Sequence, residues 1–348
     1  MKRHLISIKD LRLEEARLLL ENGKHFLEIS ERKIKKTPAL RGKTVINLFF
    51  EPSTRTRTSF EIAAKRLSAD AVNINISASS VKKGETILDT ALTLEAMAPD
   101  VLVVRHSEAG VPLFLANYLK DTSIINAGDG CHEHPTQALL DALALMEKFG
   151  GRFENLTSKK ITIVGDILHS RVARSTIYLH SLLGNSINLV GPPPLVPQEF
   201  KEKIFSSEIK IHYNLASAIK GADIIMVLRV QKERQNECFI SSLEEYSRIY
   251  CLTPEIVKKY APKAIIMHPG PVNRGIDLTG SLIEAAQALI QDQVRCGVAI
   301  RMAVLLWACM EKETAKESSS KKKQKKVEAK LSREINNAGE PYEELTAG

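Results

Sequence analysis

A chain of 348 residues is too long for one small core and sets an expectation of two domains of ordinary size. Hydrophobic residues at 44% and charged residues at 26% are a globular composition; no apolar run is long enough to cross a bilayer, and acidic residues break the N-terminal apolar stretch, which argues against a secretory signal and makes a cytoplasmic location the expectation. Lys plus Arg number 49 against 41 Asp plus Glu, and this balance points to an anionic partner, while five cysteines without close pairs give no disulfide framework and no zinc knuckle.

From residue 44 the chain alternates short buried-strand runs with amphipathic helical ones. TVINLFF, AVNINI, VLVVRH and SIINA are Val/Ile-rich and read as strands, while SFEIAAKRLSA, ETILDTALTLEAMA and VPLFLANYL carry the i, i+3, i+4 spacing of helices. HPTQALLDALALMEKFG is a strong helix ending at Gly150 and Gly151, and a polar connector, RFENLTSKK, follows it. The alternation then restarts with KITIVGD, INLVGPP, IKIHY, DIIMVLRV and AIIMHPG as strands. Repeated strand–helix units imply parallel sheets with right-handed crossovers. The fold expected is therefore α/β, with two doubly wound domains, 1–150 and 151–292, each a mostly parallel sheet flanked by helices. The very apolar helix at 293–311 is expected to pack back onto the body, and the Ser/Lys/Glu-rich tail 313–348, with its KKKQKK block, is expected to be disordered.

Ligands of parallel sheets gather where strands end and helices begin. After TVINLFF the chain reads Glu51-Pro52-Ser53-Thr54-Arg55-Thr56-Arg57. Ser53 or Thr54 can cap the following helix, and its first-turn amides, Arg55 and the Thr56 hydroxyl would then suit a phosphate. A capped helix start with solvated arginines explains the spacing as well. Other strand ends add cations and donors: Arg105 and His106; His134 and Gln137 beyond the GDGC turn; Arg171 and Arg174; Arg229 and Gln231; His268 and the Gly270-Pro271 turn. Together they point to one anion-binding cleft shared by two domains. Cys131, His132 and His134 have awkward spacing for a metal and no distant third ligand, so no metal is expected. VGDILHSRVARS lacks the glycine fingerprint of a dinucleotide site. Lys83, in KKGE, reads by itself as a solvated loop residue.

The segments PSTRTRTSFE, SSVKKGET, DGCHEHPTQALLD, LRVQKER and HPGPVNRG stand in this order at suitable separations. In this combination the chain, over roughly residues 3 to 310, resembles the catalytic chains of the aspartate carbamoyltransferases. The His-Cys-Leu-Pro and Ser-Met-Gly motifs expected of ornithine-type relatives are absent from the sequence. The resemblance implies transfer of the carbamoyl group of carbamoyl phosphate to L-aspartate, the committed step of pyrimidine biosynthesis, with no metal or organic cofactor. It implies that Ser53, Thr54, Arg55 and Thr56 bind phosphate, that Arg105 and His134 meet the carbonyl oxygen, that Gln137 lies near the carbamoyl nitrogen, and that Gly270 and Pro271 approach through backbone. Arg171, Arg229 and Gln231 would hold the aspartate carboxylates. Lys83, with Ser79 or Ser80, would reach into a neighbouring subunit's site, so a homotrimer is implied. The departing phosphate is itself a candidate proton acceptor, and no residue is assigned as general base. A regulatory chain or a dihydroorotase partner stays open, and so does binding of RNA or acidic partners by the tail.

Overall fold

The computed structural model describes residues 2–75, 85–201, 208–231 and 239–310. Ser79, Ser80, Lys83, the Lys232-Glu233-Arg234 part of LRVQKER and the tail 313–348 lie outside them.

The first sheet has strand order β2-β1-β3-β4 and is parallel throughout: β1 (Thr44–Phe49), β2 (Asp70–Asn75), β3 (Val101–His106) and β4 (Ser123–Asp129). The second sheet, also parallel, has order β7-β6-β5-β8-β9: β5 (Lys160–Val164), β6 (Ser186–Val190), β7 (Ile209–His212), β8 (Ile224–Val227) and β9 (Ile265–Met267). The two doubly wound sheets expected from the alternation are thus present, and the strand bounds differ from the sequence runs by a few residues at most.

Strand residues alternate between two apolar faces, as sheets covered on both sides require. One core packs Val45, Val101, Val103 and Ile125 of the first sheet, and Ile161, Ile163, Leu189 and Met226 of the second, into a single continuous cluster. The opposite faces are separate: Ile46, Leu48, Leu102 and Val104 in one cluster, Val164, Val190, Ile225 and Val227 in another. A shared core between the sheets fixes how their strand ends face each other.

Helices α2 (Thr54–Arg66), α5 (Pro135–Lys148) and α6 (Arg171–Leu182) contribute buried residues to the shared core. Helices α3 (Ile87–Glu95) and α4 (Val111–Tyr118) cover the first sheet's far face, and α7 (Leu215–Ile219), α8 (Leu243–Tyr250) and α9 (Pro254–Tyr260) cover the second's. A short α10 (Gly280–Ile283) precedes the final helix, α11 (Ile290–Cys309). That helix runs back against α5, α2 and an N-terminal helix, α1 (Leu13–Glu31). The sequence reading did not assign α1, although its buried Ala16, Leu19, Leu20, Gly23 and Leu27 have helical spacing.

Candidate active site

The helices after β1 and β3 lie on opposite faces of the first sheet, and those after β5 and β8 on opposite faces of the second. Each sheet therefore has a crevice at the carboxyl ends of its central strands. The two crevices meet in a cavity of about 510 Å³. Among the described residues its lining holds five arginines, Arg55, Arg105, Arg171, Arg229 and Arg301, and a single carboxylate, Glu51.

Three helix starts face this space, and none of α2, α5 and α6 has an acidic residue in its first turn. Ser53 occupies the N-cap position of α2 but its side chain makes no capping hydrogen bond, so the cap expected from Ser53 or Thr54 is not formed. Helix-end amides left this way favour an anion. Arg55 reaches from the same turn. Among the described residues no carboxylate pairs with it, and both the surrounding protein and the facing Arg229 push it below the usual guanidinium range. Thr56 is buried beside it, and Ser59, one turn further, also lines the cavity and donates to the Thr56 carbonyl at 2.8 Å.

Arg105 emerges from β3 opposite Phe49 of β1. Its Nε lies 3.3 Å from Glu51 Oε2, and its Nη1 donates to the Ala127 carbonyl at 3.1 Å. Arg171, at the start of α6, donates from Nη2 to both Glu51 oxygens at 3.0 and 2.9 Å. Glu51 thus spaces two arginines from different sheets. His134 stands at the N-cap of α5, its backbone amide donating to Ser175 Oγ at 2.9 Å, and Ser175 donates to buried Glu133 at 2.8 Å.

Gln137 donates from Nε2 to Asp141 Oδ1 at 2.9 Å, and Gln293 of α11 donates to the same oxygen at 2.7 Å. Burial pushes Asp141 up to about 7, against these two bonds and the attraction of Arg301. Arg301 is itself buried, stacks over Phe60 at 5.1 Å, and donates to the Gly297 carbonyl at 3.1 Å. On the other sheet, the Gln231 amide donates to Asp166 at 3.2 Å, which holds the end of β8 to the end of β5. The Gly270 amide donates to His268 Nδ1 at 2.8 Å, so the ring's Nε2 carries the hydrogen and donates to Asp277 at 3.2 Å. Gly270 has φ +67°, and the Gly270–Pro271 peptide is cis.

Of the residues singled out in the sequence, Ser53, Thr54, Arg55, Thr56, Arg105, His134, Gln137, Arg171, Arg229, Gln231, His268, Gly270 and Pro271 all line this one cavity. His106 and Arg174 do not. His106 packs edge-on against Phe50 at 4.9 Å, and Arg174 donates to the Cys131 and Leu168 carbonyls at 2.6 and 2.9 Å, tying two loops together. His132 pairs with Asp129 at 3.0 Å. Glu51, Ser59, Asp141, Gln293 and Arg301 belong to the site or its immediate support and were not singled out.

The sequence matches two family models in tandem. Residues 3–147 match the aspartate/ornithine carbamoyltransferase carbamoyl-P binding domain, and residues 157–308 match the Asp/Orn binding domain of the same family. The chain belongs to the aspartate/ornithine carbamoyltransferase family. The aspartate carbamoyltransferase catalytic subunit of Syntrophus aciditrophicus is 50% identical over 304 residues, covering 87% of this chain and 96% of that one. The catalytic subunit of M. Jannaschii aspartate transcarbamoylase superposes with a TM-score of 0.76 at 34% identity, covering 88% of this chain and 97% of the other. Aspartate transcarbamoylase from Trypanosoma cruzi, in complex with carbamoyl phosphate and aspartate, gives 0.77 at 28% identity, covering 88% and 96%. In this carbamoyltransferase the second matched segment runs through α11, although that helix packs on α1, α2 and α5.

Proposed function

We propose that the chain is an aspartate carbamoyltransferase, moving the carbamoyl group of carbamoyl phosphate onto the amino group of L-aspartate to give N-carbamoyl-L-aspartate and phosphate. The observation that carries this reading is the cavity's five arginines against Glu51 alone among the described residues. Two polyanionic substrates must be brought together there, and only a strongly cationic enclosure offsets their repulsion. Ornithine would bring a cation toward Arg229 and Arg171 and would match this lining poorly.

In this reading Ser53, Thr54, Arg55 and Thr56 hold the phosphate, with the uncapped start of α2 supplying amides. The aspartate amine attacks the carbamoyl carbon. The negative charge that develops on the carbonyl oxygen is met by Thr56, Arg105 and His134. Gln137 faces the carbamoyl nitrogen, and Gly270 and Pro271 close over the group. The carbon–oxygen bond to phosphate then breaks, and the leaving phosphate takes the proton lost by the amine. Arg171, Arg229 and Gln231 hold the aspartate carboxylates.

The division of labour assigns carbamoyl phosphate to residues 1–150 and aspartate to 151–292. The assembly assigned is a cytoplasmic homotrimer with Lys83 shared between subunits, feeding pyrimidine synthesis. Exposed Leu92, Met97, Leu113 and Phe114, all on α3, α4 or the turn between α3 and β3, support contact with another copy. The test is product formation by the purified chain alone, in chelator, from carbamoyl phosphate with aspartate or with ornithine. Carbamoyl-aspartate is expected; citrulline would overturn the assignment of the acceptor, and no product with either would overturn the activity of the isolated chain.

A further inference from the structure

Asp141 lies one turn beyond Gln137 on α5 and is 1% exposed. Its Oδ1 accepts two side-chain hydrogen bonds, from Gln137 Nε2 at 2.9 Å and Gln293 Nε2 at 2.7 Å, while Oδ2 has no hydrogen-bond partner among the described residues. Whether ionised or carrying a proton on the unpartnered Oδ2, the group accepts at Oδ1, and each amide turns its NH₂ end toward that oxygen. The orientation of Gln293 has an independent witness. Its oxygen accepts the His268 backbone amide at 3.1 Å, which the NH₂ end could not do. With Gln137 held by the same oxygen, its amide oxygen is the end left to face the cavity.

We propose that Asp141 is a positioning residue for the reaction: by accepting from Gln137 it presents the Gln137 oxygen, and so a hydrogen-bond acceptor, to the carbamoyl NH₂, and by accepting from Gln293 it anchors the start of the 268–271 turn on the other side of the same group. The proposal rests on the carbamoyl-transfer reading of the cavity. It explains why a buried carboxylate sits beside an anion-binding site, where its charge alone would oppose the substrate. It also gives that carboxylate a role in selectivity. A carbamoyl group and an acetyl group have nearly the same shape, and they differ in whether the terminal atom donates hydrogen bonds.

The test compares the wild-type chain with Asp141→Asn, whose amide can donate as well as accept and so frees Gln137 to turn over. Three quantities are read: KM for carbamoyl phosphate, and inhibition constants for acetyl phosphate and inorganic phosphate. The expected result is a rise of about tenfold in KM for carbamoyl phosphate, the worth of one hydrogen bond, with both inhibitors within about twofold of wild type. In a Gln137→Leu background Asp141→Asn should add nothing to this selectivity. Equal weakening of all three ligands, or an unchanged KM for carbamoyl phosphate, would overturn the proposal. If Asp141→Asn does not fold, Asp141→Ser, also both donor and acceptor, takes its place with the same expectations. Carbamoyl-aspartate production by the wild-type chain is measured first. Its failure tells against the reaction, whereas an active wild type with an unselective variant tells against Asp141 alone.

Discussion

Arg171 Nη2 donates to both carboxylate oxygens of Glu51 across 120 residues of sequence, at 3.0 and 2.9 Å, and the same carboxylate lies 3.3 Å from Arg105 Nε. One acid therefore spaces two arginines that come from different sheets. Glu51→Gln keeps the shape and removes the charge that separates them. The expected outcome is a fall of at least tenfold in kcat/KM for aspartate, with a stability loss of about 2 kcal/mol, the scale of a hydrogen bond to a charged group. Steady-state kinetics with a denaturant titration check it; unchanged kinetics would remove Glu51 from the site's support.

Arg55 has no carboxylate to satisfy it among the described residues and is opposed by Arg229. Arg55→Ala should therefore relieve repulsion in the empty protein while removing the phosphate's main cation. Turnover should fall by about a hundredfold to a thousandfold, the usual cost of one charge-stabilising donor, and the melting temperature should hold or rise. A folded Arg55→Ala chain with normal activity would contradict the phosphate cradle.

Gly270 makes a related prediction from backbone geometry. A Cβ added there would stand 2.1 Å from Arg55 Nη1, and the residue's φ of +67° is one that only glycine adopts without cost. In Gly270→Ala the Arg55 guanidinium must move. KM for carbamoyl phosphate and the inhibition constant of inorganic phosphate should rise together, at least tenfold. This is the opposite of the selective pattern expected for Asp141→Asn, so the two variants serve as controls for each other.

A shared site in a trimer predicts complementation. Lys83→Ala and Arg55→Ala are each expected to be inactive, and mixing them with subunit exchange should restore partial activity, because hybrids contain some sites with neither defect. Exchange demonstrated by mass labelling without recovered activity would refute sharing.

His180 gives the pH dependence. Asn185 Nδ2 donates to its Nδ1 at 2.8 Å, so the ring is held neutral, and burial pushes it down to about 4 from 6.5. The unfolded chain binds a proton near pH 6.5 and the folded one does not until about pH 4. The stability that this site contributes is thus full above pH 6.5 and is lost as pH falls through the folded value, by on the order of 3 kcal/mol. His180→Asn, which keeps an acceptor for Asn185, should flatten the decline between pH 6.5 and 4 in denaturant titrations. An unaltered slope would mean another group carries it.

Much of this was legible because strand–helix alternation has a strong local signal, and because chemistry in such sheets sits at strand ends. Arg55 after β1, Arg105 near the end of β3, Arg229 after β8, and Arg171 at the start of α6 could be found by position alone. What escaped was defined by contact across the chain. Glu51 stands inside the most conspicuous motif, yet its work depends on Arg171, which no spacing rule links to it. Gln293 and Arg301 were hidden in a helix read as apolar. A signal did exist: Gln293, Gly297 and Arg301 recur every four residues and form one stripe on α11, the side that meets Asp141 and Phe60. The same oversight left α1 unassigned, because its apolar residues are spread among eight charged or amide side chains and were weighed only as a leader segment.

Helix α11 closes the molecule in a different sense. Its helical partners, α1, α2 and α5, are all complete by residue 148, yet the helix itself is not made until residues 290–309. During synthesis the second sheet has all its strands before the first has its last covering helix. In the usual order the leading domain matures while the trailing one is still being translated; here one covering helix of the leading domain is translated last. Its earliest segment must wait, with an apolar groove uncovered, for almost the last.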